Sequence, residues 1–143
     1  MQTIVDRVVA AAGRYEGPGD GIESGPFRGV LDIEPLLDAM GADIRYSATA
    51  PDGSSLHVEH TTLALDMWSG EPTLYVLCQE LAGMGQLALV SDSTFSNGRT
   101  VDEFEVQIEI SIDGDRIDYV WSWGAPGSPL TEQSRATLTK APA

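Results

Sequence analysis

The sequence predicts an all-β domain: an antiparallel meander of about nine or ten strands, closed into a barrel, with one short N-terminal helix. Three observations predict it. Past Arg14 a turn signal recurs every eight to twelve residues, as GPGDG, SGP, MGAD, PDGS, WSGEP, AGMG, SNG, DGD and APGSP. The segments between these signals are short and rich in Val, Ile, Thr and aromatics, which suit a pleated, half-buried surface. Long neighbouring strands joined by tight turns form a meander, and closure removes the exposed edges that an open sandwich would keep.

In chain order, Ile4, Val5, Val8, Val9 and Ala12 recur at helical steps, and Gly13 can stop the turn. Strands are then expected over 14–22, 27–34, 43–50, 54–65, 73–80, 86–95, 100–112, 115–124 and 131–140. The C-terminal TEQSRATLTKAPA lacks the long closing helix of a helix-grip fold. Three hairpins can be tested for register, because a one-residue slip turns a strand's apolar face outward. A turn at Asp113–Gly114 sets Ile110 opposite Ile117, Ile108 opposite Tyr119, Val106 opposite Trp121 and Phe104 opposite Trp123. The other face carries Glu103, Glu105, Gln107 and Glu109 against Asp118, Val120 and Ser122, a solvated exterior with one unfavourable Glu109–Asp118 pair. A turn at Asn97–Gly98 extends the inner face through Leu89 opposite Val106 and Leu87 opposite Ile108.

The third hairpin concerns LHVEH, Leu56 to His60, which holds both histidines of the chain around a glutamate. On a strand, residues three apart point to opposite faces, so the two histidines do not form a chelating pair. APDGS suits a three-residue loop with a bulge, pairing Ala50 with Ser54, Ala48 with Leu56, Tyr46 with Val58 and Ile44 with His60. Ser47–His57 and Arg45–Glu59 then lie on the solvated face. His60 is expected inside the barrel.

The length of 143 residues and a hydrophobic content of 42% suit one domain over 1–143. A formal charge of -14, from eight basic against 22 acidic residues, argues against nucleic acid and anionic membrane surfaces as partners. The single Cys78 has no internal disulfide partner and sits in the apolar run TLYVLC, as a buried thiol would. MQTIVDRVVAAAG is interrupted by Asp6 and Arg7 and does not read as a signal peptide, and no apolar run is long enough to span a membrane. A soluble, cytoplasmic protein is expected.

This arrangement, with GRYEGPGDG at Gly13 to Gly21, resembles the calycin group: lipocalins, fatty-acid-binding proteins and nitrobindin-like bacterial barrels. There a short helix precedes a first strand opening on Gly-x-Trp with alternate glycines. Tyr15 stands at the tryptophan position, followed by Gly17, Gly19 and Gly21, whose shared face allows curvature or close approach. The resemblance implies a central cavity for a small apolar or aromatic molecule. Nitrobindin-like proteins bind heme through a histidine near the C-terminus, but LTEQSRATLTK has no imidazole, so no heme and no other cofactor is carried over. The Arg-x-Tyr carboxylate clamp of fatty-acid-binding barrels is met only by Arg135, Ala136, Thr137, and Arg135 alternates with the inward set as a solvated residue.

Phe104, Tyr119, Trp121 and Trp123 share one face and form either the wall of a cavity or a filled core. With Tyr46 and His60 they are the expected ligand-binding residues. DGDRID lacks the glutamate and spacing of a calcium loop, and Asp92, Asp102 and Glu103 read as an acidic rim; no metal site is expected. LAGMGQL is not a phosphate loop but a mouth loop with Met84 as an apolar lid. No nucleophile elbow or Ser/His/Asp set is present, and no catalytic residue is assigned. The favoured function is binding of an apolar or aromatic small molecule inside the barrel. One alternative is a cofactor-free isomerase, cyclase or decarboxylase with His60 as acid or base. A filled barrel acting through its surface, as a homodimer, is another.

Overall fold

The structure, a computed structural model, describes residues 2–98, 104–125 and 128–142. Helix α1 (Ile4–Ala10) precedes β1 (Gly13–Gly21), β2 (Gly25–Leu36), β3 (Gly41–Thr49), β4 (Ser55–Leu65), β5 (Pro72–Cys78), β6 (Gly85–Leu89), β7 (Thr94–Ser96), β8 (Glu105–Asp113), β9 (Arg116–Gly124) and β10 (Thr131–Lys140). Each strand pairs antiparallel with its sequence neighbour, and β1 pairs β10 to close the barrel. The all-β meander barrel with one short helix is thus the observed fold. Among the described residues no helix is long and apolar enough to cross a membrane.

Thr3 starts α1 with a capping box: its side chain accepts from the Asp6 amide while Asp6 accepts from the Thr3 amide. Ile4, Val5 and Val8 join the core against β2 and β3 at the end where β1 begins. Tyr15 is buried and donates to the Ala11 carbonyl at 2.8 Å, tying strand to helix. Two residues further along β1 the alternate glycines are needed: a Cβ on Gly17 would lie 2.1 Å from the Thr137 carbonyl oxygen. On Gly19 it would lie 2.2 Å from the Phe27 ring. The β1–β10 seam closes because those side chains are missing.

Three expectations are corrected. The segment 86–95 is two strands, β6 and β7, because Ser91–Asp92–Ser93 makes a turn closed by Val90 donating to Thr94 at 2.8 Å. β7 therefore lies between β6 and β8, so Leu87 and Leu89 do not face Ile108 and Val106; Leu89 faces Phe95, and Phe95 faces Ile108. The first residues of the expected strand 100–112, with Asp102 and Glu103, lie outside the described residues. Asp92 sits in the β6–β7 turn, where its carbonyl accepts from Arg7 at 2.6 Å.

The β8–β9 turn is centred on Gly114–Asp115, one residue later than expected, with Gly114 at φ 58° as the left-handed first position requires. Every pair moves by two: Ile110 faces Tyr119, Ile108 faces Trp121 and Val106 faces Trp123. A two-residue move keeps each side chain on its face, so the inner set survives, and Glu109 meets Val120 instead of Asp118.

The third correction reverses a conclusion. The loop after β3 forms as expected, with Ala50 donating to Ser54 at 2.9 Å and Thr49 opposite Ser55. A second irregularity then intervenes between Ala48 and Thr49, and Leu56 is the extra residue on β4. Beyond it Ala48 faces His57, Tyr46 faces Glu59 and Arg45 faces His60. One added residue inverts the faces. His57 and Glu59 turn inward, while Val58 and His60 turn to solvent.

Candidate functional site

Strand direction alternates around a meander, so the C-terminal ends of β1, β3, β5, β7 and β9 share the end opposite α1. The interior is packed from the helix up to Tyr119 and hollow above it, with a cavity of about 380 Å³ at this mouth. Phe27, Phe104, Trp121 and Trp123 supply its aromatic wall, Tyr46 and His57 its floor, and Glu23 and Glu80 its acidic lip. Leu81 lines it from the β5–β6 loop, whereas Met84 projects to solvent at 63% exposure and does not act as the expected lid.

Beneath the floor lies Glu59, 2% exposed. Its Oε1 accepts from the Trp121 indole at 3.1 Å and contacts His57 Nε2 at 3.0 Å; its Oε2 accepts from Thr61 at 2.5 Å and from the Tyr119 hydroxyl. Four donors meet two oxygens. That is the full capacity of a carboxylate, and the indole can only donate, so both Glu59 oxygens are fully engaged. Burial, together with the Glu59 charge, drives the Tyr119 and Tyr46 hydroxyls well above the ordinary tyrosine range, so both stay protonated.

His57 is clamped at both ring nitrogens. Nδ1 lies 2.9 Å from Glu80 Oε1 while Nε2 faces Glu59. Burial disfavours its charged form, but hydrogen bonding and the charges of the two carboxylates outweigh that, and its pKa is raised. Cys78 stands across from Glu59 on β5, buried, and burial near Glu80 pushes its thiol up to about 11, so it is a poor nucleophile at neutral pH. Aromatic contacts complete the floor: Tyr46 to Tyr119 at 4.6 Å, His57 to Trp121 at 5.3 Å and Trp121 to Trp123 at 6.4 Å between ring centroids.

Of the residues singled out from the sequence, Tyr46, Phe104, Trp121 and Trp123 line the cavity, and Tyr119 lies below it as a donor to Glu59. His60 does not join them. It is on the outer surface, 53% exposed in its side chain, in contact with Asp43. His57 and Glu59 take the inward places, displaced there by the Leu56 bulge, which the local sequence does not signal, since a straight ladder would bury Val58 and pair Glu59 with Arg45 outside. Arg135 is solvated and paired with Glu132 at 2.9 Å and with Asp118 at 3.6 Å, so no arginine enters the cavity from β10.

No known protein family and no curated protein matches the chain. Among solved structures, the crystal structure of Rv2717c from M. tuberculosis is similar over 99% of this chain and 100% of that one, with a TM-score of 0.70 and 18% sequence identity. At that identity the likeness shows a shared small β-barrel fold.

Proposed function

We propose that this chain is a calycin-type binding protein that takes a compact, neutral or cationic aromatic molecule at the open end of its barrel. One observation carries the reading: the lining combines an aromatic wall with Glu23 and Glu80 at the lip, and among the described residues it includes no lysine or arginine. Among those residues an anionic ligand would meet two carboxylates, with the His57 ring already engaged by Glu59 and Glu80. A cation would gain both the carboxylates and the faces of Trp121 and Trp123. The volume of about 380 Å³ is near the lower end for small-molecule sites, which favours a short ring system over a long acyl chain. Burying roughly 200 Å² of aromatic surface contributes about 5 kcal/mol. A cation–π contact adds about 1–2 kcal/mol, so the expected Kd is on the order of tens of micromolar.

A second reading, a cofactor-free acid/base enzyme of the isomerase, cyclase or decarboxylase kind, draws on the His57–Glu59 pair in the cavity floor, in place of His60. Its mark is turnover of a bound compound that His57→Gln abolishes while binding survives.

The test uses chelator-treated protein and a matched set of bicyclic aromatics bearing an ammonium group, no charge or a carboxylate, with a long-chain fatty acid. Quenching of tryptophan fluorescence and the thermal shift report binding. The ammonium and neutral members should bind, the ammonium compound more weakly to Glu80→Gln. Tighter binding of the carboxylate or the fatty acid, or no binding by any aromatic, overturns the proposal.

A further inference from the structure

We infer that His57, Cys78 and Glu80 form a site for a transition-metal dication of the zinc type, set in the side of the mouth cavity. It stands independently of the organic ligand proposed above. One ring nitrogen of His57, Cys78 Sγ and a Glu80 carboxylate oxygen all lie within 4.8 Å of one another. Zinc bonds of about 2.0–2.3 Å in tetrahedral geometry separate the ligand atoms by roughly 3.3–3.6 Å. The Nδ1–Oε1 distance of 2.9 Å is shorter than that spacing, so a small parting movement is needed as the ion enters. Glu80 can make it: its side chain is 42% exposed and lies beyond the end of β5.

The fold places the three by ladder geometry. Cys78 is opposite Glu59, so the same register carried one step beyond β5 sets Glu80 beside His57, all on the inward face. The Leu56 bulge is what brings His57 to that face. Behind it is the support that metal-bound imidazoles ordinarily have: Nε2 meets the Glu59 carboxylate at 3.0 Å, and Glu59 is held by Trp121, Thr61 and Tyr119. This fixes the ring so that Nδ1 points at Glu80.

The electrostatics ask for a cation at the same point. Both ring nitrogens face carboxylates, and the thiol of Cys78 adds a third donor group beside Glu80, a cluster that attracts positive charge. A dication there would be met by an imidazole lone pair, a carboxylate and a thiolate. The donor set of one thiolate, one imidazole and one carboxylate favours zinc or cobalt over magnesium or calcium, which prefer oxygen alone. On binding, the S–H bond breaks and a metal–sulfur bond forms; the thiol proton passes to the solvent buffer, with no change of oxidation state. Three protein ligands leave the fourth tetrahedral position open, and His57 and Glu80 both line the cavity, so that position faces it.

The experiment is titration of chelator-treated full-length protein with Co²⁺, followed by displacement with Zn²⁺. One equivalent of Co²⁺ should give d–d bands of tetrahedral strength and a near-ultraviolet thiolate charge-transfer band, both lost when Zn²⁺ is added. Cys78→Ser should abolish the charge-transfer band. Glu80→Gln, on an exposed side chain that leaves the core intact, should weaken binding about tenfold or more, and His60→Ala, on the outside, should leave it unchanged. Absence of the charge-transfer band from the wild-type protein overturns the site. So does Co²⁺ binding that Glu80→Gln leaves undiminished, or that His60→Ala removes.

Discussion

Tyr119→Phe removes one of the four donors to Glu59 and nothing else. The hydroxyl sits in a side chain 1% exposed, directly against the carboxylate, and the vacated space is a single oxygen in a packed interior. Water does not refill a gap of that size. A hydrogen bond to a charged group contributes about 1.5–3 kcal/mol, and here the acceptor stays buried with its oxygen served by Thr61 alone, so the upper part of that range is expected. Phenylalanine is easier to desolvate than tyrosine, which returns a fraction, and a net loss of about 2 kcal/mol remains. With an unfolding entropy of about 2.1 cal/mol/K per residue, 143 residues lose roughly 3 °C of melting temperature per kcal/mol, hence a drop of about 6–7 °C. Urea unfolding at neutral pH, read by tryptophan fluorescence, supplies the free energy, and calorimetry the melting temperature. Tyr46→Phe is the control, because Tyr46 lines the cavity and its hydroxyl is not among the groups bonded to Glu59, and it should cost less than about 0.5 kcal/mol. If Tyr119→Phe lies within about 0.5 kcal/mol of wild type, or the two variants cost the same, the four-donor account of Glu59 is wrong.

His57→Ala should abolish the ligand-induced thermal shift, whereas His60→Ala should leave it and the stability within about 0.5 kcal/mol of wild type, measured by the same melts. Because the native His57 pKa is raised, its stabilising contribution is complete below the unfolded value of about 6.5 and lost as pH rises through the higher native value. In chelator-treated protein the deficit of His57→Gln relative to wild type should therefore shrink from about pH 6 to about pH 9; a deficit that grows refutes the clamp between Glu59 and Glu80. Gly17→Ala drives a methyl to 2.1 Å from the Thr137 carbonyl oxygen, which belongs to the closing ladder, and should cost about 2–4 kcal/mol by urea melts or leave the barrel unfolded. Unchanged stability would show that the β1–β10 seam is looser than this geometry.

The architecture was legible because turn chemistry and period-two alternation are local. PDGS, DGD and the alternate glycines of β1 mark their turns and close approaches without reference to the rest of the chain. Even the misplaced β8–β9 turn did no harm, since a two-residue error preserves which side chains face inward. Where the signal was weaker, local reading failed in kind. Ser91–Asp92–Ser93 makes a turn without glycine or proline, and missing it removed β7 and one whole pairing from the sheet.

The chain's own pattern determined an acidic all-β barrel, the inward aromatic set of β8 and β9, a buried lone cysteine and the separation of the two histidines onto opposite faces. Which histidine went inside was decided only in three dimensions. Face assignment has a period of two, so the single extra residue at Leu56 exchanges the fates of His57 and His60. Nothing within LHVEH announces the bulge. What fixes it is distant: Trp121 and Tyr119 on β9 offer donors that a buried Glu59 satisfies completely and that Val58 in its place would leave unpaired. The cost of orphaned polar groups across the barrel exceeds the cost of a bulge in one strand, and that balance exists only once the barrel has closed.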